Sequence, residues 1–304
     1  MDRKIIFTAI AAFALAGCEK FTEGTINYVD FPEHDPQISA NFIVSDVATE
    51  VKAYISKSAG ISDTAGPQVI NDAIITVKDS QENILFNLTA EDFDGEFYTL
   101  PLSSPVEIPS GIISLEVDVP EFELATATTS MPISAQVEVD FQLAADTSSM
   151  WGFEYVRDLY KLDFVNNLDA DEAYLIFVES KFLDEYTGEV SDWQPMWVES
   201  NMDARITDIW LNGGILVTDE TVRNEVNGLQ EIFFYTPNED EYITIVERRI
   251  RIESLSDELK RFYVSLQEYE DGQYALFAEP DLIYSNVSTG FGCFGMYRYQ
   301  IIEL

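Results

Sequence analysis

The stretch Ile113-Ser114-Leu115-Glu116-Val117-Asp118-Val119 alternates apolar and polar residues without a break. Successive side chains of a strand point to opposite faces, so this period sets Ile113, Leu115, Val117 and Val119 on a core and their neighbours in water. The same period recurs upstream in Ile38, Ala40, Phe42 and Val44, then Val51, Ala53 and Ile55, then Ala73, Ile75 and Val77, then Ile84, Phe86 and Leu88. The turn-rich clusters SAGISDTAGP, DSQEN, EDFDGE and SSPVEIPSG lie between these runs. Short strands with turns at this spacing predict an Ig-like β-sandwich over residues 37–132, leaving through Ser130-Met131-Pro132.

Residues 133–304 read as a second β-rich domain. Val137, Val139, Phe141 and Leu143 alternate with Glu138, Asp140 and Gln142, and Tyr160, Leu162 and Phe164 repeat the pattern. Tyr174 to Val178 is continuously apolar, which suits a strand covered on both faces. Gln230 to Tyr235 and Tyr242 to Ile252 are further strand candidates. One segment departs from period two. Leu255, Leu259, Phe262, Leu266 and Tyr269 recur at spacings of four and three, which makes one helical face. Ser254 and Asp257 resemble a capping box and Gly272 a stop. The expected fold class is all-β, with one short amphipathic helix in the second part covering the end of a sheet.

The front of the chain sets location. Arg3 and Lys4 precede an uncharged run from Ile5 to Ala16, and Leu15-Ala16-Gly17-Cys18 follows in register. A run of that length is short for a bilayer span of about 20 residues and matches the h-region of an export signal. Leu-Ala-Gly-Cys is a lipobox, in which the cysteine sulfur takes a diacylglycerol thioether. The expectation is a lipoprotein signal peptide over residues 1–17, lipidation at Cys18, and a tether over residues 18–36. Cys293 is then the one remaining thiol, and FGCFGMY gives it an apolar setting.

Charge narrows the partners. The chain holds 17 Lys and Arg against 55 Asp and Glu, a net charge of −38. Without residues 1–17 the counts are 15 and 54, or −39. A field of that sign repels nucleic acid and anionic membrane surfaces, so the lipid rather than charge is expected to hold the protein to its membrane.

The motif inventory points away from common hydrolases. His34 is the single histidine and lies in the tether, no serine sits in GxSxG or three residues before lysine, and neither HExxH nor GxxxxGK[ST] occurs. Paired carboxylates stay open, because glycoside hydrolysis needs only two acids at a set distance. Asp92, Asp94 and Glu96 in DFDGE resemble the start of a calcium loop, although Ser103 stands where its last acid belongs; the competing reading is a turn with Gly95 at positive φ. Trp193 and Trp197, with Trp151 and Trp210, offer either a sugar platform or core. Asn286 and Phe291, in YSNVSTGFG, lie where the backbone passes close to a partner or to the sheet beneath.

The segments ITDIWLNGG (206–214), IRIESLSDELKRFYVSLQ (250–267) and LFAEPDLIYSNVSTGFGCFG (276–295) carry a resemblance. Together with the lipobox, the tether and the first sandwich, they resemble a domain-of-unknown-function family of Bacteroidota outer-membrane lipoproteins encoded beside SusC-like TonB-dependent receptors. The most specific part is AEP, then YSN, then a Gly-aromatic-Gly run. The resemblance implies a non-catalytic accessory lipoprotein, on the cell-surface face of the outer membrane, that captures a ligand for such a receptor or caps it. A carboxylate-based carbohydrate-active enzyme and a structural envelope lipoprotein without ligand are the alternatives.

Overall fold

The computed structural model describes residues 34–60, 66–105, 107–150, 153–164, 172–196, 198–200, 207–209, 214–218, 229–236, 243–273 and 282–304. Cys18, Trp151, Trp197 and Trp210 lie outside the described residues. The architecture is predominantly β. The first eight strands are β1 (Ile38–Ser45), β2 (Glu50–Lys57), β3 (Gln68–Val69), β4 (Ile74–Lys78), β5 (Ile84–Leu88), β6 (Tyr98–Pro101), β7 (Ile112–Asp118) and β8 (Ala125–Ser130). Then come β9 (Val137–Met150), β10 (Phe153–Phe164), β11 (Ala173–Asp184), β12 (Gln194–Pro195), β13 (Val198–Ser200), β14 (Thr207–Ile209), β15 (Gly214–Thr218), β16 (Leu229–Thr236) and β17 (Ile243–Leu255). Helix α1 (Asp257–Gln273), β18 (Gly290–Phe291) and β19 (Phe294–Glu303) close the chain.

The described strands form three sheets. A long sheet runs β14-β15-β11-β17-β19-β1-β2-β3, with β12, β18 and β6 attached beside it. Two four-stranded sheets run β5-β4-β7-β8 and β13-β16-β10-β9. The division expected after residue 132 does not interrupt the long sheet. Strand β1 pairs antiparallel with β2 on one side and parallel with β19 on the other, with Phe42 opposite Phe294.

One face of the long sheet holds two cores in succession. Near its β1 edge, Phe42 stacks on Phe294 at 5.9 Å and meets Phe86 edge-on at 6.3 Å. Ile75, Val77, Leu88, Ile113, Leu115 and Val117 complete this core from the β4-β5-β7 side, as their alternation requires. Ile84 departs from its expected place: the β4–β5 register slips between Val77 and Lys78, which turns Ile84 outward to 61% exposure. Further along, Tyr174, Ile176, Val178, Ile250 and Ile252 pack with Tyr160, Leu162 and Phe164 of β10. The alternate residues Leu175 and Phe177 join Leu216, Leu255 and Leu259 under α1 on the opposite face. The run from Tyr174 to Val178 is therefore buried on both sides, as its unbroken apolar composition implies.

Helix α1 starts two residues later than the sequence suggests. Ser256 Oγ accepts the Leu259 N–H at 3.3 Å, whereas Ser254 Oγ accepts the Ala135 N–H at 2.8 Å. Gly295 lets the helix lie close, since a Cβ there would stand 2.8 Å from Leu259 Cβ.

Candidate functional site

Three places combine chemistry-bearing side chains. The first is a charge network on the helix side of β11 and β17. The register sets Glu179 opposite Arg249 and Phe177 opposite Arg251. Glu179 accepts from Arg249 Nε at 2.6 Å and from Arg251 Nε at 3.0 Å, and Arg251 also reaches Glu253. Arg251 lies 4.0 Å over the Phe177 ring, and Gly214 leaves that ring its room, as a Cβ there would come within 2.6 Å of it. Burial, opposed by Arg251, pushes the Glu253 carboxyl up to about 7.

Trp193 belongs to this network. Its ring covers Arg249 at 4.1 Å and the Lys181 ammonium at 4.7 Å. One of the tryptophans that offered either a sugar platform or core is thus a cap on paired cations, in contact with charges to which sequence spacing does not connect it.

The second place is a hollow of about 460 Å³ lined by Phe141, Tyr160, Ile245, Val246, Glu247, Arg248 and Leu304. Its polar floor is a bonded set, with Arg248 donating to Asp158 and to the Tyr160 hydroxyl. Burial raises the Tyr160 phenol above its ordinary range. Two register slips flank the hollow, one at Asp158 between β9 and β10, the other at Val246 between β11 and β17. Val246 is the extra residue at its slip and re-aims its neighbours, which is how it faces out at 43% exposure beside Arg248.

The third place is the strap before β19. Asn286 Nδ2 donates to the Thr128 and Phe294 carbonyls at 3.0 and 2.8 Å, while its Oδ1 accepts the Phe294 N–H at 2.9 Å. Ser288 bonds Thr126 in the same way from both its backbone and its side chain. The close neighbour that the glycines imply is β1: a Cβ on Gly290 would lie 2.3 Å from the Ile38 carbonyl oxygen, and one on Gly292 2.1 Å from that of Ala40. Asn286 is a tie between β8 and β19; Phe291 is half exposed beside it.

The remaining expected residues fall in local turns. Asp92 Oδ2 accepts from the Thr89 N–H and hydroxyl, closing a capping box on a short 3-10 turn. Asp94 accepts the Glu96 and Phe97 N–H groups at 3.0 and 2.8 Å, with Gly95 at φ 114° and Glu96 exposed. Among the described residues no three His, Cys, Asp or Glu side chains converge as a metal site. Cys293 is buried under α1, and burial pushes its thiol up to about 12. Comparison with known proteins gives no matching family and no matching curated protein.

Proposed function

We propose that the protein is a lipid-anchored accessory protein of the outer membrane that acts by binding, without cofactor, at a SusC-like TonB-dependent receptor. In this reading residues 37–132 form an Ig-like sandwich, Cys18 carries the anchor, and the second β-rich part meets the ligand or the receptor on the cell-surface side. The observation that carries it is the state of the reactive groups. Glu179, Glu253 and Asp158 are each engaged by arginine, and Cys293 is a neutral buried thiol. A binding surface needs apolar area with oriented polar groups, and the hollow supplies that combination.

The test has two arms. Alkyne fatty-acid labelling should tag the wild type and spare Cys18→Ser; equal labelling of both overturns the anchor. Gentle detergent extraction should bring down a large β-barrel protein at low salt. Its retention should drop in 1 M salt, where the screening length falls to about 3 Å. Purification of the chain alone, together with polysaccharide cleavage, would establish the enzyme instead.

A further inference from the structure

The far end of the long sheet carries exposed apolar groups in an acidic frame. Ile38, where the chain enters β1, is level with Gly290, and Arg249 is level with Glu303. From residue 290 to residue 303 the strands travel thirteen residues, about 43 Å at a strand's usual rise. The hollow lies at and beyond Glu303, on the side away from the chain's entry.

Beside it stands a hairpin that leaves β11 and returns toward β12. Asp184 Oδ1 accepts the Tyr186 and Thr187 N–H groups at 2.8 and 3.0 Å, the Gly188 N–H reaches the Asp184 carbonyl at 2.7 Å, and Gly188 takes φ 73°. This bonding fixes the tip and presents Tyr186 at 88% exposure and Val190 at 52%. Hairpin and hollow share the start of β17: Asp184 pairs with Ile243, Thr244 bonds Glu185 at 3.0 Å, and Ile245 and Val246 line the hollow, with Phe141 at 47% exposure across it.

Exposed apolar residues joined in this way mark contact surfaces, above all when a rigid aromatic leads. Charge identifies the occupant. Residues 183–192, LDEYTGEVSD, contain Asp184, Glu185, Glu189 and Asp192 and no base. A second copy, itself at −38, is repelled.

We propose that this pole is a docking surface for a protein segment that presents an apolar side chain between lysines or arginines. The inference deepens the binding function proposed above and rests on it for the membrane setting alone. Tyr186 and Val246 supply contact area, and the four acids set orientation and rate of encounter.

Two measurements on the full chain test it. In vitro, a peptide alternating lysine with phenylalanine should bind about tenfold more tightly than one alternating lysine with serine, because the phenylalanines enter apolar surroundings. The double variant Tyr186→Ser, Val246→Ser should keep the wild-type melt and lose that preference. Equal affinity for both peptides, or a preference that survives in the double variant, overturns the proposal. In native membranes, a photo-cross-linker at Tyr186 should give one adduct whose linked peptide contains lysine or arginine, and one at Ile112 should give none. An adduct with a second copy, no adduct, or equal adducts at the two positions overturns it. An adduct of the expected chemistry with a protein that is not a β-barrel keeps the docking surface and removes the receptor reading.

Discussion

At the end of the long sheet where the chain enters β1, Gly290 and Gly292 press onto the carbonyls of Ile38 and Ala40, and Asn286 locks the strap to two strands. At the opposite end, a Cβ on Gly188 would meet nothing within 4 Å, and Tyr186 and Val246 face outward. Both ends use glycine and short polar bonds, yet to different purposes. The entry end joins the first strand of the described fold to the last, so its polar groups and glycines are internal to the structure. The far end fixes a hairpin whose side chains contribute little to the core. The difference teaches that the same residue types signal packing or presentation according to what lies across from them.

Substitutions should separate the two ends by size of effect. Gly292→Ala forces a Cβ against a strand carbonyl in a backbone at φ 113°, and should cost more than about 3 kcal/mol in a denaturant melt. Gly188→Ala has open space and only the left-handed backbone against it, so about 1 kcal/mol is expected. Equal losses would erase the contrast. Asn286→Ala leaves the Phe294 N–H and two carbonyls without their partner, and should cost about 2 kcal/mol by the same melt.

The pH response should differ by region as well. Burial lifts Glu253 from its ordinary 4.5 to about 7, so the folded state holds that proton more tightly than the unfolded chain does. Its contribution to stability is therefore full below about 4.5 and is lost as pH rises through about 7. Glu253→Gln should flatten the melting temperature across that window; an unchanged slope would contradict the assignment. At the far end the sign is opposite. The Thr187 and Tyr186 N–H groups hold the Asp184 carboxyl below its ordinary 3.8, so its contribution is present above that pH and lost in acid. Asp184→Asn should lower the melting temperature above pH 3.8 and match the wild type in strong acid, so that the acid limb flattens.

Much of the local structure was legible in the sequence. The alternation from Ile113 to Val119 and the unbroken run from Tyr174 to Val178 each named the faces that are buried. Helical spacing from Leu255 located α1 but missed its cap, because Ser254 and Ser256 look alike until Ala135 claims the former. Long-range pairing was not legible. Nothing in the local pattern of Phe42 or Phe294 brings β1 beside β19, and the slip that exposes Ile84, with Leu85 the extra residue in β5, shows only in the pairing with β4. The candidate site is the least legible part. In the sequence Trp193 stands out for its ring alone; its partners Arg249 and Lys181 come from β17 and β11. The hollow and the Tyr186 hairpin carried no motif. The signal that was present, an aromatic inside an acid-rich DEYTGE turn, gains meaning only once the turn stands beside Val246.

The smallest effects on stability are expected where the largest effects on binding lie. Tyr186→Ser should change the melt by less than about 0.5 kcal/mol, as substitutions of exposed groups do. The most direct measurement is amide hydrogen exchange on the protein in its native membrane, compared with the purified chain. The account predicts added protection at 183–190 and 243–247 in the membrane, with 38–45 and 290–297 equally slow in both. Protection that rises at the entry end instead, or exchange at 183–190 that is the same in both settings, would contradict it.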